Sequence, residues 1–519
     1  MIPNFPLSFS LVSRDMNIIT SLLSKAIGLP EPTLRLLLTI LLGYPAAHFY
    51  KKLYCSQDSP KTSREDRNQY ILWTGLALNF FFNTFQIVHS LTTITVSYGL
   101  CLFLGERLQN RSWAATAVWV FNAVYLLAGY YWMETDEYDI TWTMTQCILC
   151  LRLMGFGFDY LDGQRQVTVA TAAKQESSED PTQVAMRQTE LKKAPAALPL
   201  SFMADTPLPR LPSFSFVMAY ALYPAAFAVG PQFSFSLYDQ WLDQVNLELS
   251  PEDREEKERA QSAYVLRSVL LAIAYLGLQQ VVGSRYSTAY LLTEDYQSLC
   301  FLKRAFFFCL AGKFAFNKYI GIWLLTEGAI ASFGISYDGK DSDGLARFGG
   351  LANTDPGRFE TATSIDHVIS AFNINTNLWS KYYVFKRLKF LGSKSASQFG
   401  TLAFLAIWHG FHSVYFTTFL LEFLFVLCES KLRKRLVPLL EPYTEKNEIY
   451  FYAWKCLAWV TCQVTCAYGI VGFELLKFGR SWTAYKSVGF IGHLAILVIF
   501  AADSYLPRQT KSLKTRKTQ

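Results

Sequence analysis

Residues 372–419 read FNINTNLWSKYYVFKRLKFLGSKSASQFGTLAFLAIWHGFHSVYFTTF. A polar, asparagine-rich stretch opens the segment. A basic and aromatic stretch follows. A longer apolar run closes it, with His409 near its middle. Neither a plain lipid-facing helix nor a plain soluble core tolerates this mixture. An ionisable side chain inside an apolar helix is expensive to keep in lipid, so it faces a cavity or a partner and marks function. The rest of the chain reads as housing for Asn373 and His409.

Outward from that stretch the chain is greasy. Of its 519 residues 51% are hydrophobic, 16% aromatic and only 17% charged, against roughly a quarter charged in soluble domains. Apolar blocks fall at 34–50, 69–88, 90–105, 113–132, 139–156, 263–284, 298–327, 399–427, 450–477 and 485–503. Several approach the ~20 residues that a helix needs to cross the hydrocarbon core. Because helices satisfy every backbone polar group within one segment, the expected fold class is all-α and polytopic in the membrane. Gly, Pro and polar residues interrupt several blocks, which fits a protein with an interior cavity that shelters irregular backbone. Residues 214–235 break at Pro224 and at Gly230-Pro231. Proline removes a helical donor and clashes with the preceding turn, so this stretch reads as a broken or re-entrant helix. Residues 237–260 read as an interfacial connector.

Residues 164–211 are polar and poor in aromatics, and are expected as a mobile loop outside the bilayer. A basic tail covers 505–519. The chain 1–519 is thus expected to form a single transmembrane domain. Its N-terminus lacks the pattern of a cleavable signal, so the first span is expected to direct its own insertion. The net charge of +7 is carried in clusters at Lys51-Lys52, at Lys431, Arg433, Lys434 and Arg435, and in the tail. Such clusters set topology and meet lipid headgroups. They form no basic domain for nucleic acid.

Most of the ten cysteines lie in apolar runs as small hydrophobes. Cys147 and Cys150 form one CxxC without a second pair, so neither zinc nor a disulfide framework is indicated. The six histidines, His48, His89, His367, His409, His412 and His493, form no repeated His boxes, and no metal is expected. Residues 337–362 are rich in Gly and Asp but lack EF-hand spacing. They read as a structured turn leading into the asparagine segment.

Three groups of residues carry candidate chemistry. His409 stands in a helical run, so His412 and Phe416, three and seven residues on, are expected to share its face, and Gly410 lets another chain or a ligand approach. Two readings of His409 stay open here, a buried structural histidine and a proton-transfer group. Asn373, Asn375 and Asn377 suit capping and turns, and a carboxamide in a cavity also donates to a developing oxyanion. Lys381, Lys386, Arg387 and Lys389 interleave with Tyr382, Tyr383, Phe385 and Phe390. That pattern suits a membrane surface or a phosphorylated cofactor such as coenzyme A.

The stretch FNINTNLWSKYYVFKRLKFLG followed by FLAIWHGFHSVYF resembles the membrane-bound O-acyltransferase superfamily, and within it the lysophosphatidylcholine acyltransferase 3 type. LRLMGFGFDYLDG at 151–163, VGPQFSF at 229–235, YLLTEDY at 290–296 and GKFAFNKYIGIWLLTEG at 312–328 agree. The resemblance covers about 140–500. It implies an architecture of about 11 transmembrane helices, with broken or re-entrant helices, around a through-membrane chamber. It also implies acyl-CoA as co-substrate from the cytosol, with no permanently bound cofactor, and a lysophospholipid from the bilayer. The family's histidine falls on His409 and its asparagine on Asn373, the two implied catalytic residues. Trp408, Phe411, His412, Tyr415, Phe416, Asn375 and Trp379 would shape the substrate path. Lys381, Tyr382, Lys386, Arg387 and Lys389 would meet acyl-CoA. The ending RKTQ is similar to the dibasic retrieval signal of endoplasmic reticulum membrane proteins, with Arg516 in place of the usual Lys.

Two other functions compete. The intramembrane charges Lys313, Lys318, Glu327 and Glu422 suit a transporter or scramblase, although no internal repeat of the transporter kind is visible. A protein acyltransferase of the same superfamily would change the acceptor and keep the base. Choline, ethanolamine and serine lysolipids all fit the sequence, oligomeric state is open, and the resemblance implies polyunsaturated acyl chains.

Overall fold

The long apolar runs lack the alternation that strands require and have the length that helices use to close their own backbone bonds. The computed structural model describes residues 18–55, 62–133, 140–175, 207–244 and 250–505. Among these residues the regular structure is helical, and bridging is confined to two isolated pairs, Lys340 with Ala346 and Thr354 with Phe372. Five helical runs are long and apolar enough to cross a membrane: Arg64–Arg107, Arg111–Met133, Pro251–Leu292, Ser413–Thr444 and Glu448–Leu475. Two bent pairs qualify jointly, Thr20–Ile27 with Glu31–Tyr54 and Phe478–Ser487 with Ile491–Tyr505, bent by 109° and 76°. Trp73, Val120, Leu270, Val281 and Leu497 stand exposed on these helices, the surface a bilayer covers. The protein is a multi-pass, membrane-embedded helical protein.

The chain divides into two compact units. The first holds the residues up to Leu278 together with Asn317–Pro356 and Ala371–Phe411. Its core is strongly aromatic, with Tyr50, Tyr220, Tyr223, Phe233, Tyr238, Trp241 and Phe333 packed together. Part of this core comes from the broken segment, Phe214–Ala221 and Ala226–Val229 followed by irregular chain up to Phe235. Irregular backbone in an apolar interior leaves carbonyls without partners. Here Arg152, 1% exposed, supplies them. Its guanidinium donates to the carbonyl oxygens of Tyr220 at 3.2 Å, Ala221 at 3.1 Å, Ala226 at 3.3 Å and Pro231 at 3.2 Å, and lies 4.8 Å from the Phe233 ring centre. The Arg64–Asn83 helix approaches the same segment closely. A Cβ on Gly75 would lie 2.1 Å from the Leu222 carbonyl oxygen, so only glycine fits.

The second unit holds Gln279–Phe316, Gly357–Ser370 and the residues from His412 on. Phe308, Leu421, Tyr468, Val471, Leu475, Tyr485 and Ile496 form its core. A Cβ on Gly312 would lie 2.0 Å from the Ala467 carbonyl oxygen, which records how closely those two helices pack. Lys313 pairs with Glu360 at 2.6 Å and also donates to Gln463 at 3.2 Å. Asp503 is clasped by Lys431 and by Arg435.

Two expectations need correction. The block at 399–427 is not one helix. Lys394–His409 ends at the histidine, Gly410 takes φ 122°, and a new helix, Ser413–Thr444, begins after His412. His409, His412 and Phe416 therefore do not share one helical face. The polar stretch at 164–211 begins as helix, because Trp142–Gln175 runs on past the apolar block; its residues 176–206 lie outside the described residues. In the connector at 237–260, the helix Phe235–Gln244 precedes a long helix that starts at Pro251. The tail beyond Tyr505, with RKTQ, also lies outside the described residues.

Candidate active site

Asn373 begins the short helix Ile374–Ser380, which continues as a π-helical turn at Lys381–Phe385 and a 3-10 turn at Arg387–Leu391. Gly392, at φ 69°, turns the chain, and the Ser393 hydroxyl caps Lys394–His409 by accepting from the Ala396 N–H at 3.3 Å. The two arms form an antiparallel hairpin. Near the turn, Ser397 Oγ donates to the Leu388 carbonyl at 3.0 Å. Farther along, Trp379 stacks on Phe404 with ring centres 5.8 Å apart. Asn373 lies six residues before Trp379, and His409 lies five residues after Phe404. Asn373 thus precedes the first arm and His409 ends the second.

The hairpin is tied to neighbours in the first unit. Trp379, 1% exposed, also packs on Trp119 at 6.0 Å. Tyr383 donates to Asp159 at 2.7 Å, and Arg387 pairs with Asp162 at 2.7 Å while its guanidinium lies 3.8 Å from the Phe158 ring centre. Lys386 sits over the Tyr382 ring at 4.0 Å. Lys381, Lys386 and Lys389 are exposed. Trp408 is buried. Its Nε1 donates to the Cys147 carbonyl at 2.9 Å, and its own carbonyl accepts from Tyr130 at 3.0 Å. Half-buried His409 thus projects from a firmly held helix end. Phe411 closes the first unit and is exposed. His412, Tyr415 and Phe416 belong to the second unit, where Tyr415 packs on Phe473 at 4.8 Å.

Asn373 has its own support, a strap at residues 351–355. The Asp355 N–H donates to Ala371 at 2.9 Å and the Ile374 N–H to Asn353 at 3.0 Å, on either side of the Thr354–Phe372 bridge. Asn375 turns its amide inward, onto the carbonyls of Leu351 at 3.3 Å and Ala352 at 2.9 Å. Asn377 donates to the Phe372 carbonyl at 2.9 Å. Beneath the strap lies Glu327, 3% exposed. Its carboxylate accepts from the backbone N–H groups of Asn353 at 2.6 Å and Thr354 at 2.9 Å, and from the Tyr264 hydroxyl at 3.2 Å. Among the described residues no group of three or more His, Cys, Asp or Glu side chains could hold a metal ion.

An imidazole and a carboxamide, one at the end of each arm of this hairpin, are groups suited to moving a proton and to stabilising charge on an oxygen. The sequence profile described as MBOAT, membrane-bound O-acyltransferase family, matches residues 127–471 and so includes the whole hairpin. The chain belongs to the membrane-bound O-acyltransferase family. This O-acyltransferase is similar to Lysophospholipid acyltransferase 5 of Drosophila melanogaster, 33% identical over 92% of this chain and 88% of the relative. It is 32% identical to the Mus musculus protein of the same name, over 95% and 94% of the two chains. Identity to the Homo sapiens protein of that name is 31%, over 95% and 93%.

The O-acyltransferase sequence gives no sign of the strap around Asn353, and Glu327 enters it only as a charge that suits the competing transporter reading. The sequence offers residues 337–362 as a structured turn leading into the asparagine segment, with no role for Asn353.

Proposed function

We propose that this O-acyltransferase moves a fatty acyl group from acyl-CoA to the free sn-2 hydroxyl of lysophosphatidylcholine and related lysophospholipids. Polyunsaturated acyl chains are the preferred donors, and the role is phospholipid remodelling of the Lands-cycle type in the endoplasmic reticulum membrane. The whole chain acts as one catalytic membrane domain. The relatives' names support the acceptor class. What supports the site is the hairpin, whose first arm follows Asn373 and whose second arm ends at His409.

The reaction follows from the groups. The acceptor hydroxyl is a poor nucleophile at neutral pH. His409 takes its proton as the oxygen attacks the thioester carbonyl, and Asn373 polarises that carbonyl or orients the hydroxyl. The C–S bond then breaks, coenzyme A leaves as thiolate, and the imidazolium returns the proton to it. Positioned proton transfer gives about 10²–10⁴-fold in rate. His409→Ala should therefore lower kcat by at least about 10²-fold while the purified protein keeps its helix content and melting temperature. Turnover at the parental rate would remove His409 from the role of base. A panel of lysophospholipids against acyl-CoAs of differing unsaturation tests the substrate class. Label from acyl-CoA should appear in phospholipid, and label found in protein instead would overturn the acceptor.

A further inference from the structure

A carboxamide can serve this reaction in two opposite ways. Its Nδ2 hydrogens can donate to the thioester carbonyl as charge builds on that oxygen, or its Oδ1 can accept from the attacking hydroxyl. The end that faces the reactants is set by the neighbours of Asn373, and one of those neighbours has a fixed polarity. A backbone N–H can only donate. The Asn375 N–H donates to Asn353 Oδ1 at 3.0 Å, and the Asn375 amide approaches the same oxygen at 3.4 Å. The carboxamide of Asn353 is therefore oriented with Oδ1 toward Asn375 and Nδ2 on its other side. That Nδ2 lies 3.3 Å from Asn373 Oδ1. The oxygen of Asn373 is already an acceptor, and its NH2 is the end it offers outward.

Asn353 cannot drift from this position. Its N–H and that of Thr354 are both held by Glu327, and its carbonyl accepts from Ile374. Glu327, Asn353 and Asn375 are 3%, 2% and 1% exposed, so a displaced strap would leave buried polar groups without partners. We infer that Glu327 and Asn353 are positioning residues that set the polarity of Asn373, so that its NH2 faces the thioester carbonyl as an oxyanion donor. The inference rests on the reading of Asn373 and His409 as the acyl-transfer site.

Three variants test it. Asn353→Ser keeps an oxygen for the Asn375 N–H but is too short to reach Asn373, whose amide is then free to turn. Its kcat should fall toward the about 10²-fold seen when one oxyanion donor is lost, with KM for the lysophospholipid within about twofold. Asn353→Asp substitutes a carboxyl that donates to Asn373 only while protonated. Its activity should therefore fall as pH rises through ionisation of the new carboxyl, a limb absent from the parental profile. Glu327→Ala removes the acceptor shared by the Asn353 and Thr354 N–H groups, so its kcat should fall in the same direction as that of Asn353→Ser, with the same loss of ketone preference described next. Binding of two inert coenzyme A analogues gives a second readout, a 2-oxoalkyl thioether with a ketone and an S-alkyl thioether without one. The parental protein should prefer the ketone, and Asn353→Ser should lose that preference. Parental kcat with retained ketone preference in both Asn353 variants would overturn the inference. Absence of acyl transfer by the parental protein would instead remove the enzymatic reading beneath it.

Discussion

Asn373 stands in the left-handed backbone region, at φ 50° and ψ 44°. Most L-residues lose about 1–2 kcal/mol there, whereas glycine does not and asparagine adopts it readily. Conformation and chemistry can therefore be separated at one position. Asn373→Gly should keep the melting temperature and lose most acyl transfer. Asn373→Ala should lose both, with about 1–2 kcal/mol of stability gone. Equal stability of the two variants would show that the strain is not felt. Asn373 and His409 were legible in the sequence because their residue types are out of place in an apolar setting. Their supports were not. Asn353 meets Asn373 across 20 residues of chain and Glu327 meets Asn353 across 26, and no local pattern announces such partners. Of the four charges that suggested a transport path, two have structural work: Glu327 under the strap, and Lys313 in its pair with Glu360.

At the scale of elements, the broken segment at 214–235 was legible from its prolines, but the device that makes it tolerable was not. Arg152 lies within LRLMGFGFDYLDG, a stretch that reads as an ordinary helix with one odd cation. Its four carbonyl partners lie 68 to 79 residues away. Arg152→Met should leave those carbonyls buried and unpartnered, at about 1–3 kcal/mol each, and the protein should fail to stay monodisperse in detergent. Arg152→Lys should be intermediate, since one ammonium cannot reach four acceptors in the geometry of the guanidinium fork. A melting temperature equal to parental in Arg152→Met would contradict the staple. The end of the helix at His409 was hidden for a different reason. The residues on both sides of Gly410 are apolar and helix-compatible, so hydrophobic length ran through a stop that only the positive φ of Gly410 reveals.

At the scale of the molecule, the class was legible from composition, because only a bilayer accounts for so much exposed apolar surface. Trp73, Leu270, Ile273, Val281 and Leu497 are each more than half exposed, a surface that water would penalise and lipid does not. Ile273 falls near the middle of the apolar part of the Pro251–Leu278 helix. An arginine there should cost about 2.5–3.5 kcal/mol of insertion free energy. Ile273→Arg should shift the chain toward the uninserted fraction in a carbonate-extraction assay, while Ile273→Leu should not. Full insertion of the arginine variant would place that face against protein or water.

The hairpin also dictates where the chain can change length over time. One residue gained between Phe404 and Trp408 would swing the imidazole through about 100° around the helix axis and advance it by about 1.5 Å, out of phase with Asn373. One residue gained in the Leu391–Ser393 turn leaves both arms in register. Length drift in descendants of this sequence is thus steered into the bend, and the arms are left to vary by substitution alone.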